Sequence, residues 1–168
     1  MNLTYQCLQD QGQPQAIEFA LYSRQLLFPE LYNASMPKDI EYFEQYYLDS
    51  RLGCFIVVKD QDRIIGTVAY RAYDHRFDLD IPENSVEVVK LFVLPEYRRQ
   101  GIATKLCQML FEQAKRQKIE TLYLHTHPFL PAAEKFWQLQ GFQVIKREWL
   151  KTYDTIHMLH TYADESFL

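Results

Sequence analysis

The stretch Val93-Leu94-Pro95-Glu96-Tyr97-Arg98-Arg99-Gln100-Gly101-Ile102-Ala103-Thr104 gathers the residue types that can hold an anion. It leads from an apolar run into an amphipathic one through a turn with two arginines and a glycine. The first turn of a helix leaves several backbone N–H groups without partners and carries partial positive charge. Gly101 has no side chain and Ala103 a small one, so an anionic group can come close to those donors. Arg98 and Arg99 add permanently charged donors suited to phosphate oxygens. The chemistry is that of a pyrophosphate cradle, with a solvated basic turn as the plainer alternative. Neither G-x-x-x-x-G-K-[ST] nor G-x-G-x-x-G occurs, so the P-loop and dinucleotide fingerprints are absent. Six residues before Val93, Glu87 supplies a carboxylate that could take a proton.

These residues need a strand before the turn and a helix after it. Val86 to Leu94 is mostly β-branched or aromatic, with Glu87 and Lys90 its only charges, which predicts a central strand covered on both faces. After Pro95, Ala103, Leu106, Cys107, Leu110, Phe111 and Ala114 recur at the helical period and form an apolar stripe. Elsewhere the pattern predicts strands at Leu3–Leu8, Cys54–Lys59, Arg63–Tyr70, Thr121–Thr126, Phe142–Lys146 and Thr155–Leu159. It predicts helices opening at Pro14 and Pro37 and a short one over Pro131–Gln140, with Gly141 as a left-handed terminator. Arg71 to Ser85 is polar and without period, hence a loop, and Lys151 to Asp154 is the last turn. The order β-α-α-β-β-β-α-β-α-β-β describes one mixed α/β domain over residues 1–168.

Composition narrows the function classes. A chain of 168 residues with 48% hydrophobic and 24% charged side chains folds as an ordinary globular domain and needs neither disulfides nor a structural metal. No apolar run approaches the length of a membrane span, and the N-terminus has no signal-like apolar region. Three cysteines, far apart in sequence and each in an apolar context, read as reduced buried thiols, and the expected location is the cytoplasm. The net charge of −4 speaks against general nucleic-acid binding. That charge is uneven: residues 96–118 carry a net +4, residues 74–87 a net −4 and residues 37–50 a net −3. His125 and His127 share a strand face, yet no Cys or carboxylate lies beside them and Pro128 follows, so no metal is expected.

Arg98, Gly101 and Ala103 meet the pattern [R/Q]-x-x-G-x-[G/A] at a strand-to-helix turn. Together with Glu87-Val88-Val89-Lys90-Leu91-Phe92-Val93-Leu94 before it and Ala133-Glu134-Lys135-Phe136-Trp137-Gln138-Leu139-Gln140-Gly141-Phe142 after it, the segment 86–146 resembles the GNAT superfamily of acyl-CoA-dependent N-acetyltransferases. Over residues 1–85 the resemblance is one of element order alone. It implies a mostly antiparallel mixed sheet with splayed central strands, flanked by about four helices. Acetyl-CoA would be the co-substrate. Its pantetheine arm would pair with the backbone of Leu91 and Val93 beside Phe92, and its pyrophosphate would rest on Arg98, Arg99, Gln100, Gly101, Ile102, Ala103 and Thr104. The acetyl group would pass by direct attack to a primary amine of a small molecule or peptide.

An alkyl ammonium has a pKa near 10.4, so roughly one amine in a few thousand is neutral at pH 7, and supplying that form costs about 4–5 kcal/mol. The resemblance puts Glu87 where many members carry the base that removes this proton. One departure stands out. The tyrosine that in such enzymes protonates the departing thiolate is Trp137 here, and the asparagine seven residues earlier is Leu130. A non-catalytic acyl-CoA-binding regulator on the same fold is the alternative this departure suggests. His125, His127 and Tyr123 are left unranked as acids. The acidic segments predict a cationic acceptor, and Tyr42, Tyr46, Tyr47, Tyr70 and Tyr73 predict an aromatic lining for it. A homodimer through an exposed strand or the last hairpin is compatible with the sequence.

Overall fold

The computed structural model describes residues 1–9, 11–130, 132–151 and 153–162. Seven strands, β1 (Leu3–Cys7), β2 (Cys54–Asp60), β3 (Arg63–Ala72), β4 (Val86–Val93), β5 (Thr121–Thr126), β6 (Gln143–Leu150) and β7 (Tyr153–Thr161), form one sheet in the order β1-β2-β3-β4-β5-β7-β6. Every neighbouring pair is antiparallel except β4–β5, which is parallel. The helices are α1 (Gln13–Leu27), α2 (Lys38–Glu41), α3 (Ile102–Arg116) and α4 (Ala133–Leu139). This is the predicted order of elements and the mixed, mostly antiparallel α/β architecture.

Successive side chains of a strand point to opposite faces, which locates the layers. On β3, the Tyr70 hydroxyl donates to Gln117 at the end of α3, whereas Arg71 reaches Asp39 in α2. Phe19 of α1 meets Phe92 edge-on, with ring centres 6.0 Å apart. So α1 and α2 cover one face and α3 the other. The core between them holds β2, buried from Cys54 to Val58, and the α3 stripe Leu106, Cys107, Leu110 and Ala114, as its periodicity predicts.

The boundaries differ in places, each for a physical reason. β3 runs on through Ala72, because Arg71 and Ala72 pair with Glu87 and Val86, so the expected loop starts only at Tyr73. The helix expected at Pro37 is a single turn, α2, followed by a wider turn over Glu44–Leu48 whose last bond runs from the Asp49 N–H to the Glu44 carbonyl (2.8 Å). Ile40, Phe43 and Tyr47 are nonetheless all buried, which is what their spacing signalled. β6 and β7 are longer than predicted, since they pair from Gln143–Leu159 to Leu150–Tyr153. β6 is an edge strand that exposes Gln143, Ile145, Arg147 and Trp149 on alternate positions, so its apolar signal is weak. α4 is shorter than the predicted Pro131–Gln140, and Pro131 lies outside the described residues. Gly141 is left-handed (φ +97°), and a Cβ there would sit 3.0 Å from the His160 ring. Among the described residues no helix is long and apolar enough to cross a membrane.

Candidate active site

β4 and β5 pair only at Val86–Leu122 and Glu87–Tyr123, then part. Beyond that fork, the β5-facing edge of Val88 to Val93 has no strand partner among the described residues. β4 also carries a bulge. Thr67 pairs with Phe92 but Ala69 with Val89, so one extra β4 residue is accommodated where Lys90 takes a left-handed conformation (φ +62°). The Thr67 hydroxyl donates to the Lys90 carbonyl (2.7 Å) and ties the bulge to β3.

At the end of β4 a short turn, Pro95–Tyr97, leads to α3. Arg99 (φ +61°) and Gly101 (φ +78°) are both left-handed, and such alternation curls backbone amides into an anion-binding concavity. α3 starts without a side-chain cap or an acidic residue in its first turn, and its first bond is from the Lys105 N–H to the Gly101 carbonyl (3.0 Å). The amides of Ile102, Ala103 and Thr104 are therefore open to a ligand. Arg98, Arg99, Gln100, Gly101 and Thr104 are exposed and Ala103 half-buried, while the Ile102 side chain is buried in the core. Arg98 is partly committed: its Nε donates to the Val93 carbonyl (2.8 Å) and its guanidinium lies 5.3 Å from the Phe92 ring centre. Leu91 is half-buried, and Phe92 and Val93 are buried.

Across the fork stands a network of charges that the sequence does not reveal. Glu87 is 1% exposed and accepts two bonds from Arg76 (2.6 and 2.8 Å) and one from Arg71 (3.4 Å). His125 Nδ1 lies 3.3 Å from Glu87 Oε1, though off the line of a well-aligned hydrogen bond. Arg71 also reaches Asp39 (3.2 Å), as does Lys90 (3.0 Å), and the Tyr47 hydroxyl donates to the same carboxylate (2.5 Å). Burial alone would raise the Glu87 carboxyl, but Arg76, His125 and Arg71 outweigh it and hold the group far below its ordinary value. Burial would likewise raise Asp39, and Lys90, Tyr47 and Arg71 hold it below its ordinary value. Lys90 therefore pairs with Asp39, and not with its strand neighbour Glu87.

The remaining predicted residues divide. Trp137 is buried against Phe136 and Phe142 and belongs to the core. Tyr47, Tyr70 and Tyr73 are buried too, so most of the tyrosines expected to line a pocket are packing groups, with Tyr42 exposed and Tyr46 half-buried. Tyr123 bonds His157 Nδ1 (2.6 Å), and His157 Nε2 bonds Glu148 (2.8 Å), which makes a buried chain that begins at the fork. His127 bonds the Asp154 carbonyl (3.0 Å). Among the described residues no three His, Cys, Asp or Glu side chains converge to hold a metal. The sequence did not single out Asp39, Arg71 or Arg76. The one available signal was the density of charge flanking a run of buried strands.

A fork with an anion-ready helix terminus on one side and a buried charge cluster on the other defines an acyl-CoA-type transferase fold, and the comparisons agree. The model of the acetyltransferase (GNAT) family matches residues 20–142, and the chain belongs to that family. Human N-acetyltransferase 8 is 26% identical over 132 residues, which is 79% of this chain and 57% of that protein. N-acetylaspartate synthetase of Rattus norvegicus is 29% identical over 122 residues, 73% of this chain and 38% of that protein. The chain thus spans well under two thirds of these relatives. Among solved structures, a GNAT-family acetyltransferase of Staphylococcus aureus Mu50 superposes with a TM-score of 0.72 at 25% identity, covering 95% of this chain and 99% of that one. The PaiA N-acetyltransferase of Thermoplasma acidophilum, solved with coenzyme A, superposes with a TM-score of 0.65 at 20% identity, covering 96% and 100%, a likeness of fold.

Proposed function

We propose that this chain transfers the acetyl group of acetyl-CoA to a primary amine by direct attack within a ternary complex. The observation that carries the reading is the fork, whose strandless β4 edge lies between the open amides of α3 and the Glu87 cluster. Acetyl-CoA supplies an activated thioester whose thiolate, with a pKa near 8.5, leaves without a dedicated acid, so Trp137 in place of a tyrosine is tolerable. Leu91 and Val93 offer backbone groups to a pantetheine arm in the manner of a missing strand. Arg98, Arg99 and the amides from Arg99 to Thr104 offer donors to the pyrophosphate. A β4 amide would steady the charge that develops on the carbonyl oxygen.

The expected role of Glu87 as direct base shifts one residue outward. A carboxylate held this acidic takes up a proton poorly, and its oxygens already accept from Arg76 and Arg71. His125 is 28% exposed at its side chain, with Nδ1 buried toward Glu87. In this reading Glu87 orients the ring, and the His125 Nε2 takes the amine proton. The acceptor also departs from the cationic one expected from charge alone. Asp39 and Glu87, the buried members of the acidic segments, are spent on Lys90, Arg71 and Arg76, whose side chains remain 19%, 21% and 34% exposed. With Arg76 also held by Asp74 (2.8 Å), Lys90 and Arg71 are the cations left at the edge of this wall, and they favour an amine that carries a carboxylate, as an amino acid does. The name N-acetylaspartate synthetase, borne by several relatives, refers to such a product.

Calorimetry with acetyl-CoA followed by thiol release across amines tests both levels. Micromolar binding with release for at least one amine is expected, and no binding sinks the reading. Binding without release for every amine returns the chain to the class of acyl-CoA-binding regulators. Within the panel, an amino acid should outpace its decarboxylated amine, and the reverse order would restore a cationic acceptor.

A further inference from the structure

Cys7 and Cys54 are 47 residues apart in sequence, yet their Sγ atoms lie 3.6 Å apart. The sequence read them as separate buried thiols, and strand pairing brings them together. β1 runs antiparallel to β2 with Cys7 opposite Ile56, and the Leu8 N–H continues the pairing to the Phe55 carbonyl (2.8 Å). Cys54 is two residues from Ile56 and so projects from the same face. Both thiols are free. Cys54 is 2% exposed, whereas Cys7 is half-buried on the edge strand, so a small reagent meets Cys7 first.

We propose that Cys7 and Cys54 form an oxidisable dithiol site, in which a hydroperoxide oxidises Cys7 and Cys54 then closes a disulfide with it. The Cys7 thiolate attacks the terminal peroxide oxygen. The S–O bond forms as the O–O bond breaks, leaving Cys7 as a sulfenic acid, and the departing alkoxide, or hydroxide from hydrogen peroxide, takes a proton from solvent to leave as the alcohol or water. Cys54 then attacks the Cys7 sulfur. The S–S bond forms, the S–O bond breaks, and the departing hydroxide leaves as water with the Cys54 proton. The two thiols supply the two electrons that reduce the peroxide, and no other reductant is needed.

The surroundings fit this division of labour. The hydrogen bond with Cys54 leads the effects that, with the Phe55 backbone and Arg116, outweigh burial and lower Cys7 below its ordinary value. A larger share of Cys7 is then the reactive thiolate at neutral pH than the few per cent of an ordinary thiol. The bond to Cys7 and burial push Cys54 up, which suits a resolving partner over a first target. Cys107, buried in α3 and raised to about 12 by burial, is an internal control in the same chain. Closing the sulfurs to about 2.05 Å needs a small shift. β1 has a strand partner on one side only, so it is the element able to make it. The site lies beyond β3 from the fork and shares no residue with it.

The test is titration of the reduced full chain with hydrogen peroxide, followed by denaturing thiol counts and non-reducing peptide mapping. The wild type should fall from three free thiols to one, with the Cys7 and Cys54 peptides linked and Cys107 intact. Cys54→Ser should instead accumulate a dimedone-reactive Cys7, and Cys7→Ser should keep both remaining thiols at the same dose. Persistence of all three wild-type thiols would overturn the proposal. So would a cross-link only between chains, or a wild-type Cys7 that passes to sulfinic acid while Cys54 stays free. The wild-type map decides the matter even if a variant folds poorly.

Discussion

On one side of the fork, the turn from Pro95 into α3 leaves its amides and the Arg99 side chain uncommitted. On the other, Glu87, Asp39, Arg71, Arg76 and Lys90 spend their charges on one another. The first arrangement is cheap to fold, because the groups stay solvated until an anion displaces the water. The second is costly. Two carboxylates, 1% and 3% exposed, are removed from water and are tolerable only because three cations and a tyrosine hydroxyl surround them. The reward is rigidity, since Glu87, which accepts three bonds from Arg76 and Arg71, cannot wander from its place beside His125. Changes on the turn should therefore touch chiefly affinity, while changes in the network should touch rate and stability together.

The largest effect is expected at His125. Removing a positioned base typically costs 10²- to 10⁴-fold in rate, so His125→Ala should lower kcat by that order while acetyl-CoA affinity is unchanged. Free imidazole should restore part of the rate. A His125→Ala enzyme with the wild-type rate would return the proton to Glu87 or to water. Either result sharpens the contrast, because it decides whether the buried network holds a base or is one.

Next comes Glu87 itself. Truncating one member of a buried ion pair strands the others, at a cost of about 3–5 kcal/mol. Arg71 and Arg76 keep some solvent, so Glu87→Ala should fall near the lower end in urea unfolding. Titration extends the point. Glu87 and Asp39 are held below their ordinary values, so the stability they contribute is complete above the unfolded carboxyl range of about 3.9–4.3 and is lost as pH falls beneath it. The urea midpoint of the wild type should drop steeply there, and Glu87→Gln should start lower and fall less. Parallel acid curves for the two proteins would mean that Glu87 is not strongly paired in solution.

The same contrast explains what could be read in advance. The candidate cofactor turn is contiguous: Arg98, Gly101 and Ala103 lie within six residues, and the geometry they need is that of a strand meeting a helix. The α3 stripe and the buried β2 and β4 are legible for a similar local reason. The charge network draws Asp39 from α2, Arg71 from β3, Arg76 from the following loop, Glu87 and Lys90 from β4 and His125 from β5. None of these signals alone that it is buried. Arg71 in particular stood in a stretch read as loop, because β3 continues only through its pairing with β4. The β4 bulge that takes up Lys90 is likewise set by register between strands, which no local pattern encodes. The cysteine pair was missed for the same reason, since antiparallel pairing determines proximity and sequence separation does not.

The smallest effects fall on the turn, where two adjacent arginines offer a comparison in miniature. Arg98 donates to the Val93 carbonyl and covers the Phe92 ring, so it braces the end of β4 as well as facing the anion site. Among the described residues Arg99 makes no ion pair or side-chain hydrogen bond, and it is exposed. Arg99→Ala should therefore weaken acetyl-CoA binding by about 10-fold, the loss of one charge-assisted contact at roughly 1.4 kcal/mol, and leave the urea midpoint where it was. Arg98→Ala should weaken binding to a similar degree and also cost about 1 kcal/mol of stability, the worth of one internal hydrogen bond. Raising the salt concentration should narrow both affinity differences, because exposed charges are screened, without touching the stability difference. Equal stability losses in the two variants would mean that the turn is braced as firmly as the opposite wall, and unaltered affinity in both would remove the turn from the cofactor site.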